Sequence, residues 1–333
     1  MIIQDVKAIS SELGPTLFEN RKFLVTGGAG FLGSWLCETV LSSGGKVYCI
    51  DNVSTGSLEN VHHLRRNKRF ILRRADVTKN GRPREKLHYI LHFASRTSPE
   101  DYQKHPIDTL LTNSAGTEKT LELARRNDSV LLNASSSEVY GNSEVVPTPE
   151  TYFGHVNPIG PRSCYDEGKR FGEALCIAYH KTYGLDIRIA RIFNSYGPRM
   201  RADGAYARAV PRFIRQALAG EDITVYGDGY QTRSFCYVTD AITAILKTLQ
   251  TPSMKGEVVN IGNPEEISIL TLAEKIKSLT NSKSRIIFHP HPQDDPQRRC
   301  PDITKAKEKL KWQPSVTLEE GLRKTISSYR QRS

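Results

Sequence analysis

Seven residues, Gly27-Gly28-Ala29-Gly30-Phe31-Leu32-Gly33, constrain this chain more than any other stretch. They follow a short apolar run, Phe23-Leu24-Val25-Thr26, that reads as a buried parallel strand. They open onto Phe31 to Leu41, where apolar residues recur at helical spacing. Strand, glycine turn and helix in that order make a cradle for phosphate. Gly27 permits the tight turn, Gly30 lets a pyrophosphate approach the backbone, and Gly33 lets the helix pack on the strand. The positive end of the helix adds its attraction. A glycine turn without a ligand is the alternative, and the strand-before, helix-after context argues against it.

The same alternation continues. Strands are predicted at 46–50, 69–73, 89–93, 130–134 and 185–190, with long helices over 107–125 and 162–183. Strands alternating with helices imply an α/β fold, a doubly wound parallel sheet whose ligands bind at the carboxyl ends of the strands. The glycine loop, Asp51 and the run Ser135-Ser136-Ser137 all fall at such ends. After residue 192 the sequence turns loop-rich, at 194–204, 226–231, 262–266 and 290–301, which predicts a smaller lobe over the sheet. The expected division is an N-terminal extension (1–20) and a Rossmann domain (21–192, with 232–262 returning to it). The remainder, 193–231 and 263–333, forms the substrate lobe.

No apolar run in the 333 residues approaches the ~18–20 that a membrane span needs. The first 20 residues carry Asp5, Lys7, Glu12 and Glu19 and lack the basic-then-apolar order of a signal peptide. Six scattered cysteines with no CxxC pair fit free thiols in a reducing cytoplasm. The net charge of +11, concentrated at 65–69, 73–74 and 79–86, reads as a solvated basic face, because no nucleic-acid motif accompanies it. His289 and His291 near Asp294 and Asp295 read as a turn-rich loop, with no third histidine to complete a metal site.

Asp51 lies about 20 residues past the loop at a strand end, where a carboxylate accepts hydrogen bonds from adenosine ribose hydroxyls. It would repel a 2′-phosphate, so the cofactor is expected to be NAD, not NADP. Asp76-Val77 follows another strand and is a candidate for the adenine edge. The expected cofactor set is Gly27, Gly30, Phe31, Leu32, Gly33, Asp51, Asn52, Asp76, Val77 and Ala94, together with Tyr165 and Lys169.

Tyr165 and Lys169 stand four apart, one turn on one helix face. A tyrosine is no base at its ordinary pKa near ~10, but an adjacent ammonium stabilises the phenolate. Tyr165 then takes a proton from a sugar hydroxyl while hydride leaves the same carbon, with Ser136 hydrogen-bonded to that oxygen.

Across residues 21–331 the chain resembles the extended short-chain dehydrogenase/reductase superfamily, and within it the UDP-glucuronic acid decarboxylases. The resemblance rests on Thr26–Gly33, Ser137-Glu138-Val139-Tyr140-Gly141, and His155-Val156-Asn157-Pro158-Ile159-Gly160-Pro161-Arg162 leading into Cys164-Tyr165-Asp166-Glu167-Gly168-Lys169-Arg170. It extends through Tyr196-Gly197-Pro198-Arg199, Gln231-Thr232-Arg233 and Gln293-Asp294-Asp295-Pro296-Gln297. The similar 4,6-dehydratases carry Asp-Glu where this chain has Ser137-Glu138, so water elimination lacks its proton donor here.

The resemblance implies NAD-dependent conversion of UDP-glucuronate to UDP-xylose. Oxidation at C4 makes the C6 carboxylate a β-keto acid, which loses CO2 before C4 is reduced again. Glu138 is implied to protonate or orient at C5, with Ser137 beside it. Arg299, with Arg298 as the fallback, meets the sugar acid. Arg233 and Asn194 hold the diphosphate, Tyr226 lines the nucleotide pocket, and Tyr102 is a substrate-loop residue. A homodimer built from the 107–125 helix and the Tyr165 helix is also implied. Arg96, where a proline is expected, and the 200–208 segment depart from the pattern. A nucleotide-sugar 4-epimerase or 4,6-dehydratase, an enzyme that stops at the 4-keto pentose, and a non-catalytic NAD-binding protein remain as alternatives.

Overall fold

The computed structural model describes residues 2–79, 83, 85–204 and 208–331. The 79–86 basic cluster and the 200–208 departure therefore lie partly outside the described residues. The first part of the chain runs α1 (Ile2–Leu13), β1 (Lys22–Thr26), α2 (Phe31–Ser42), β2 (Lys46–Asp51), α3 (Glu59–His62), β3 (Phe70–Arg74) and β4 (Tyr89–His92). It continues through α4 (Pro99–Lys104), α5 (Pro106–Asn113), α6 (Ala115–Asn127), β5 (Val130–Ser136), α7 (Ser163–Tyr183) and β6 (Ile187–Ile192). Then come β7 (Ser195–Tyr196), α8 (Ala209–Ala219), β8 (Ile223–Tyr226), β9 (Thr232–Ser234), β10 (Cys236–Tyr237) and α9 (Val238–Gln250). The last elements are β11 (Val258–Ile261), β12 (Glu266–Ser268), α10 (Ile269–Thr280), β13 (Ile286–His289), α11 (Thr304–Leu310) and α12 (Leu318–Arg330).

Seven strands form one parallel sheet in the order β3-β2-β1-β4-β5-β6-β11. The order reverses between β1 and β4, the point at which an open α/β sheet leaves a crevice beyond its strand ends. The middle strands are buried along their length, with Phe23, Val25, Val47, Cys49, Leu91 and Leu132 fully enclosed. That two-sided burial explains why they read as continuous apolar runs in place of alternating ones. β11 pairs with β6 through the register Val258↔Ile189 to Ile261↔Ile192. The loop-rich remainder makes three two-stranded pairs, β10 with β7, β12 with β9 and β13 with β8. Residues 2–13 are no detached extension. Val6 and Ile9 of α1 join the main core, and Asp5 meets the Tyr237 hydroxyl at 3.3 Å and Lys324 at 3.4 Å.

The long helix predicted over 107–125 is two helices. Ser114 leaves helical geometry (φ −104°, ψ −81°) between α5 and α6. The cause is local competition for carbonyls: the Thr109, Asn113, Ser114 and Thr117 side chains each donate to the carbonyl four residues back. β5 runs two residues past its predicted end, so Ser135 and Ser136 sit on the strand itself. Among the described residues, no helix is long and apolar enough to cross a membrane.

Candidate active site

A cleft of about 440 Å³ opens along the carboxyl ends of the sheet. Gly27, Gly30, Phe31, Leu32, Gly33, Asp51, Asn52, Asp76, Val77, Ala94, Ser136, Tyr165, Lys169 and Asn194 all line it. The cradle fits a dinucleotide by an exclusion that the glycines make visible. Gly27 holds φ +68°, and a Cβ there would stand 2.7 Å from the Phe93 carbonyl oxygen; one on Gly33 would overlap the Gly27 carbonyl. Backbone can approach backbone, and a diphosphate can approach both, only without those atoms.

Asp51 ends β2 with both oxygens committed. Oδ2 accepts from the Ala29 N–H (2.9 Å) and Oδ1 from the Val53 N–H (2.7 Å). Burial pushes its pKa up, and those backbone donors pull against it. The carboxylate thus braces the glycine loop while facing the cleft, where it suits a ribose diol and opposes a 2′-phosphate. Asn52 donates to Asp76 at 3.1 Å, joining the second and third strand ends.

Tyr165 is buried on the first turn of α7, and burial pushes its phenol up to about 12 against the opposing pull of Arg208 and a hydrogen bond with Ser136. Lys169 lies one turn on. Its Nζ donates to the Ala134 carbonyl at 2.9 Å and stands 5.7 Å from the Tyr165 ring centroid, and burial lowers its pKa to about 8. Arg208, which donates to the Thr97 carbonyl at 2.8 Å and lines the cleft, also pulls on the Tyr165 phenol. Sequence reading gave that part to Lys169 alone.

Beyond Tyr165 the structure gathers a second, charged group. The carboxylate of Glu138, in the single helical turn that follows β5, is gripped on Oε1 by Arg299 and on Oε2 by Arg162. Burial would raise its pKa, but the two guanidiniums win and hold it down at about 2. Arg162 also reaches Asp295 (3.4 Å), whose other oxygen accepts from Arg233 at 2.8 Å. Ser137 is buried beside Glu138, and Asn194 donates to the Ser234 carbonyl from a positive φ of 27°.

Tyr102 stacks on Tyr165 with ring centroids 5.2 Å apart. Arg298 does not join this group. Its guanidinium is 55 % exposed and paired with Glu266, because neighbouring side chains on extended backbone point to opposite sides. Tyr102, Ser137, Glu138, Tyr226, Arg233, Arg298 and Arg299 are not among the cleft-lining residues; Tyr226 carries the Arg212 guanidinium 4.7 Å above its ring. Arg96, standing where a proline is expected, lines the cleft and makes two contacts to Asp101 (2.7 and 2.9 Å).

Arg162, Asp166 and Asp295 were missed as functional candidates, although each lies inside a stretch that carries the family resemblance. No cluster of metal-ligating side chains occurs among the described residues.

A glycine cradle over a parallel sheet, with serine, tyrosine and lysine converging on one cleft, defines a short-chain dehydrogenase/reductase of the extended type. The chain belongs to the family described as GDP-mannose 4,6 dehydratase, which matches residues 24–325, and within it to the UDP-glucuronic acid decarboxylases. UDP-glucuronic acid decarboxylase 1 of Danio rerio is 49% identical over 315 residues, 93% of this chain and 73% of the relative. Its counterpart in Xenopus tropicalis is 48% identical over 94% of this chain and 73% of the relative. Among solved structures, UDP-glucuronic acid 4-epimerase from Bacillus cereus, in complex with UDP-glucuronic acid and NAD, superposes with a TM-score of 0.85. It is 31% identical over 94% of this chain and all of that one.

Proposed function

We propose that this chain decarboxylates UDP-glucuronate to UDP-xylose by oxidation at C4, loss of CO2 and re-reduction of C4, using bound NAD. One observation carries the reading: Glu138 is fixed by Arg162 and Arg299 beside the Tyr165 site, and its neighbour is Ser137, not an acid. Without an acid at 137, a 6-hydroxyl has no donor to help it leave as water. In this reading the Glu138–Arg299 pair, buried behind Tyr165, serves a sugar acid instead. The activity of the similar vertebrate relatives supports the same conclusion.

NAD supplies the acceptor for the C4 hydride and returns it later. Tyr165 takes the proton of the C4 hydroxyl, with Ser136 hydrogen-bonded to the same oxygen. Burial holds the phenol at about 12 even against the pull of Arg208, and Lys169, one turn on, adds positive charge beside it. The C4 ketone then draws in the electron pair of the C5–C6 bond as CO2 leaves. Arg299, with its planar fork, orients the C6 carboxylate, and Glu138 sets the position of Arg299. Arg233 and Asn194 hold the diphosphate. On the return half, Tyr165 gives its proton back to O4.

The enzyme is cytoplasmic in this reading, which the six buried, unpaired cysteines support. It is a homodimer paired through α5, α6 and α7, the elements that cover the 107–125 stretch and the Tyr165 helix. Ile107 is 71% exposed there, with Leu110, Leu111 and Phe171 also exposed, an apolar surface suited to a second copy.

The test is incubation of purified protein with UDP-glucuronate and NAD, followed by mass spectrometry and proton NMR. CO2 with UDP-xylose is expected. CO2 with a keto-pentose denies the return hydride, UDP-galacturonate identifies a 4-epimerase, and unchanged substrate overturns the reading.

A further inference from the structure

The ammonium of Lys169 is buried and short of acceptors. It carries three donors. Among the described residues it makes one hydrogen bond, to the neutral Ala134 carbonyl at 2.9 Å, and no ion pair. Burial with so little compensation disfavours the charged form of a lysine. Yet positive charge beside Tyr165 is what the oxidation at C4 asks of Lys169.

A carboxylate stands one turn further along α7. Tyr165, Lys169 and Glu173 follow at intervals of four, which places them on one face of the helix, and all three are buried. Three donors fix Glu173. Ser135 Oγ donates to its Oε1 at 2.5 Å, Arg191 Nε to the same oxygen at 2.9 Å, and Arg191 Nη2 to Oε2 at 2.7 Å. Arg191 is anchored in turn on the Tyr140 hydroxyl (2.8 Å) and the Glu150 carbonyl (3.0 Å). Ser135 and Arg191 lie opposite each other in the β5–β6 register. These contacts interlock with the active residues. Ala134 accepts from Lys169, Ser135 donates to Glu173, and Ser136 hydrogen-bonds Tyr165. Consecutive residues of β5 thus meet successive turns of one helix face. The chemistry at C4 and C6 has no use for Glu173 itself.

We propose that Glu173 is a positioning residue whose carboxylate, fixed by Ser135 and Arg191, keeps Lys169 charged at the pH where C4 is oxidised. It acts through Lys169 and lies outside the cleft lining. The titratable groups around Lys169 are Tyr165, Glu173 and Cys176 on its own helix and His92 on β4. Burial holds the Tyr165 phenol at about 12, pushes the Cys176 thiol up and drives the His92 imidazole down to about 3, so all three are neutral near pH 7. Glu173 is the one carboxylate among them. Burial lowers Lys169 to about 8, and Glu173 leads the pull in the other direction.

The inference rests on the C4 oxidation of the proposed reaction, and the experiment separates the two. The full chain, labelled with 13C at lysine Cε, is titrated by NMR, with Lys169→Arg used to assign the resonance. Glu173→Gln should lower the Lys169 midpoint from about 8 by about one pH unit. The same fall is expected when Glu173→Gln is combined with Arg191→Gln, which leaves no guanidinium unpaired. It is not expected in Arg191→Gln alone, which breaks the same pair and keeps the carboxylate. The NAD-loaded proteins are then mixed with UDP-glucuronate in single turnovers, and reduced-nicotinamide absorbance is followed across pH. Both variants that lack the carboxylate should oxidise C4 within about twofold of wild type at about pH 6 and about fivefold more slowly at about pH 8. An unmoved Lys169 midpoint in those variants overturns the proposal. So does an equal fall in Arg191→Gln, or a loss of oxidation that is the same at both pH values, since either marks a structural role. Wild type that leaves UDP-glucuronate unchanged overturns the underlying reading instead, and the Lys169 midpoints still decide the inference.

Discussion

Tyr102 lies flat against Tyr165, with ring centroids 5.2 Å apart and planes within 4° of parallel. The two come from different elements, α4 and α7, and both are buried. α4 therefore sets the tilt of the Tyr165 ring. A stacked pair of this kind is worth about 0.5–1.5 kcal/mol beyond its buried area.

Tyr102→Leu keeps an apolar side chain, smaller than the ring, and removes the stack. The expected result is a fall in kcat of about tenfold, or about 1.4 kcal/mol, with the KM for NAD unchanged. Steady-state kinetics with each substrate varied in turn would check it. An unaltered kcat would show that α7 alone orients Tyr165. This variant also differs from Tyr102→Phe, which keeps the stack and loses only the hydroxyl.

Tyr165→Phe removes the phenol proposed to take the C4 proton. Turnover should fall by about 10²–10⁴-fold, the range that a positioned acid–base group contributes. NAD affinity, measured by calorimetry, should change little, because Asp51 and the glycine loop are untouched. Full activity in this variant would overturn the assigned chemistry.

The features carried by local spacing were legible in the sequence. The strand, glycine turn and α2 announce themselves within 20 residues, and Tyr165 and Lys169 share a helix face by arithmetic. What was not legible depends on long-range approach. Arg298 and Arg299 are adjacent and chemically identical, and only the packing of their extended segment sends Arg299 to Glu138 and Arg298 to Glu266. Arg162 and Asp166 sit four apart at the start of α7, which by itself reads as an ordinary surface pair. They become part of the site because Glu138, Asp295 and Tyr102 close over them from other elements. The break at Ser114 escaped for the opposite reason: four short polar side chains in α5 and α6 turn back on their own carbonyls, and apolar periodicity is blind to that.

Two carboxylates close to Tyr165 should give stability slopes of opposite sign. Glu138 is held at about 2, below its ordinary 4.5, so its contribution is fully present above 4.5 and is lost as pH falls toward 2. Asp166 is raised to about 7 from 3.8, so its contribution is fully present below 3.8 and is lost as pH rises through 7. Urea denaturation across these windows would separate them. Asp166→Asn should flatten the slope between 3.8 and 7. Glu138→Gln leaves Arg299 without its carboxylate, while Arg162 keeps Asp295, and should cost about 3–5 kcal/mol at neutral pH, a deficit that shrinks in acid. It should also impair CO2 release more than C4 oxidation.

Asp51 has two tasks that one substitution separates. Its oxygens accept from the Ala29 and Val53 backbone N–H groups, and its charge faces the cleft from the end of β2. Asp51→Asn keeps one acceptor oxygen, which can serve one of the two N–H groups, and removes the charge. Asp51→Ala removes both oxygens and leaves the two donors without their partner, at about 1–3 kcal/mol each where no water replaces it. Asp51→Asn should therefore melt between wild type and Asp51→Ala, having lost one of the two backbone contacts, and raise the KM for NAD about tenfold. It should also narrow the preference for NAD over NADP, because the repulsion of a 2′-phosphate is gone. Asp51→Ala should show the same loss of preference together with a lower melting temperature. Thermal melts and cofactor titrations with NAD and NADP on both variants would check this. A preference for NAD that survives in both would place the discrimination elsewhere in the cleft, with Asn52 and Asp76 the next residues to change.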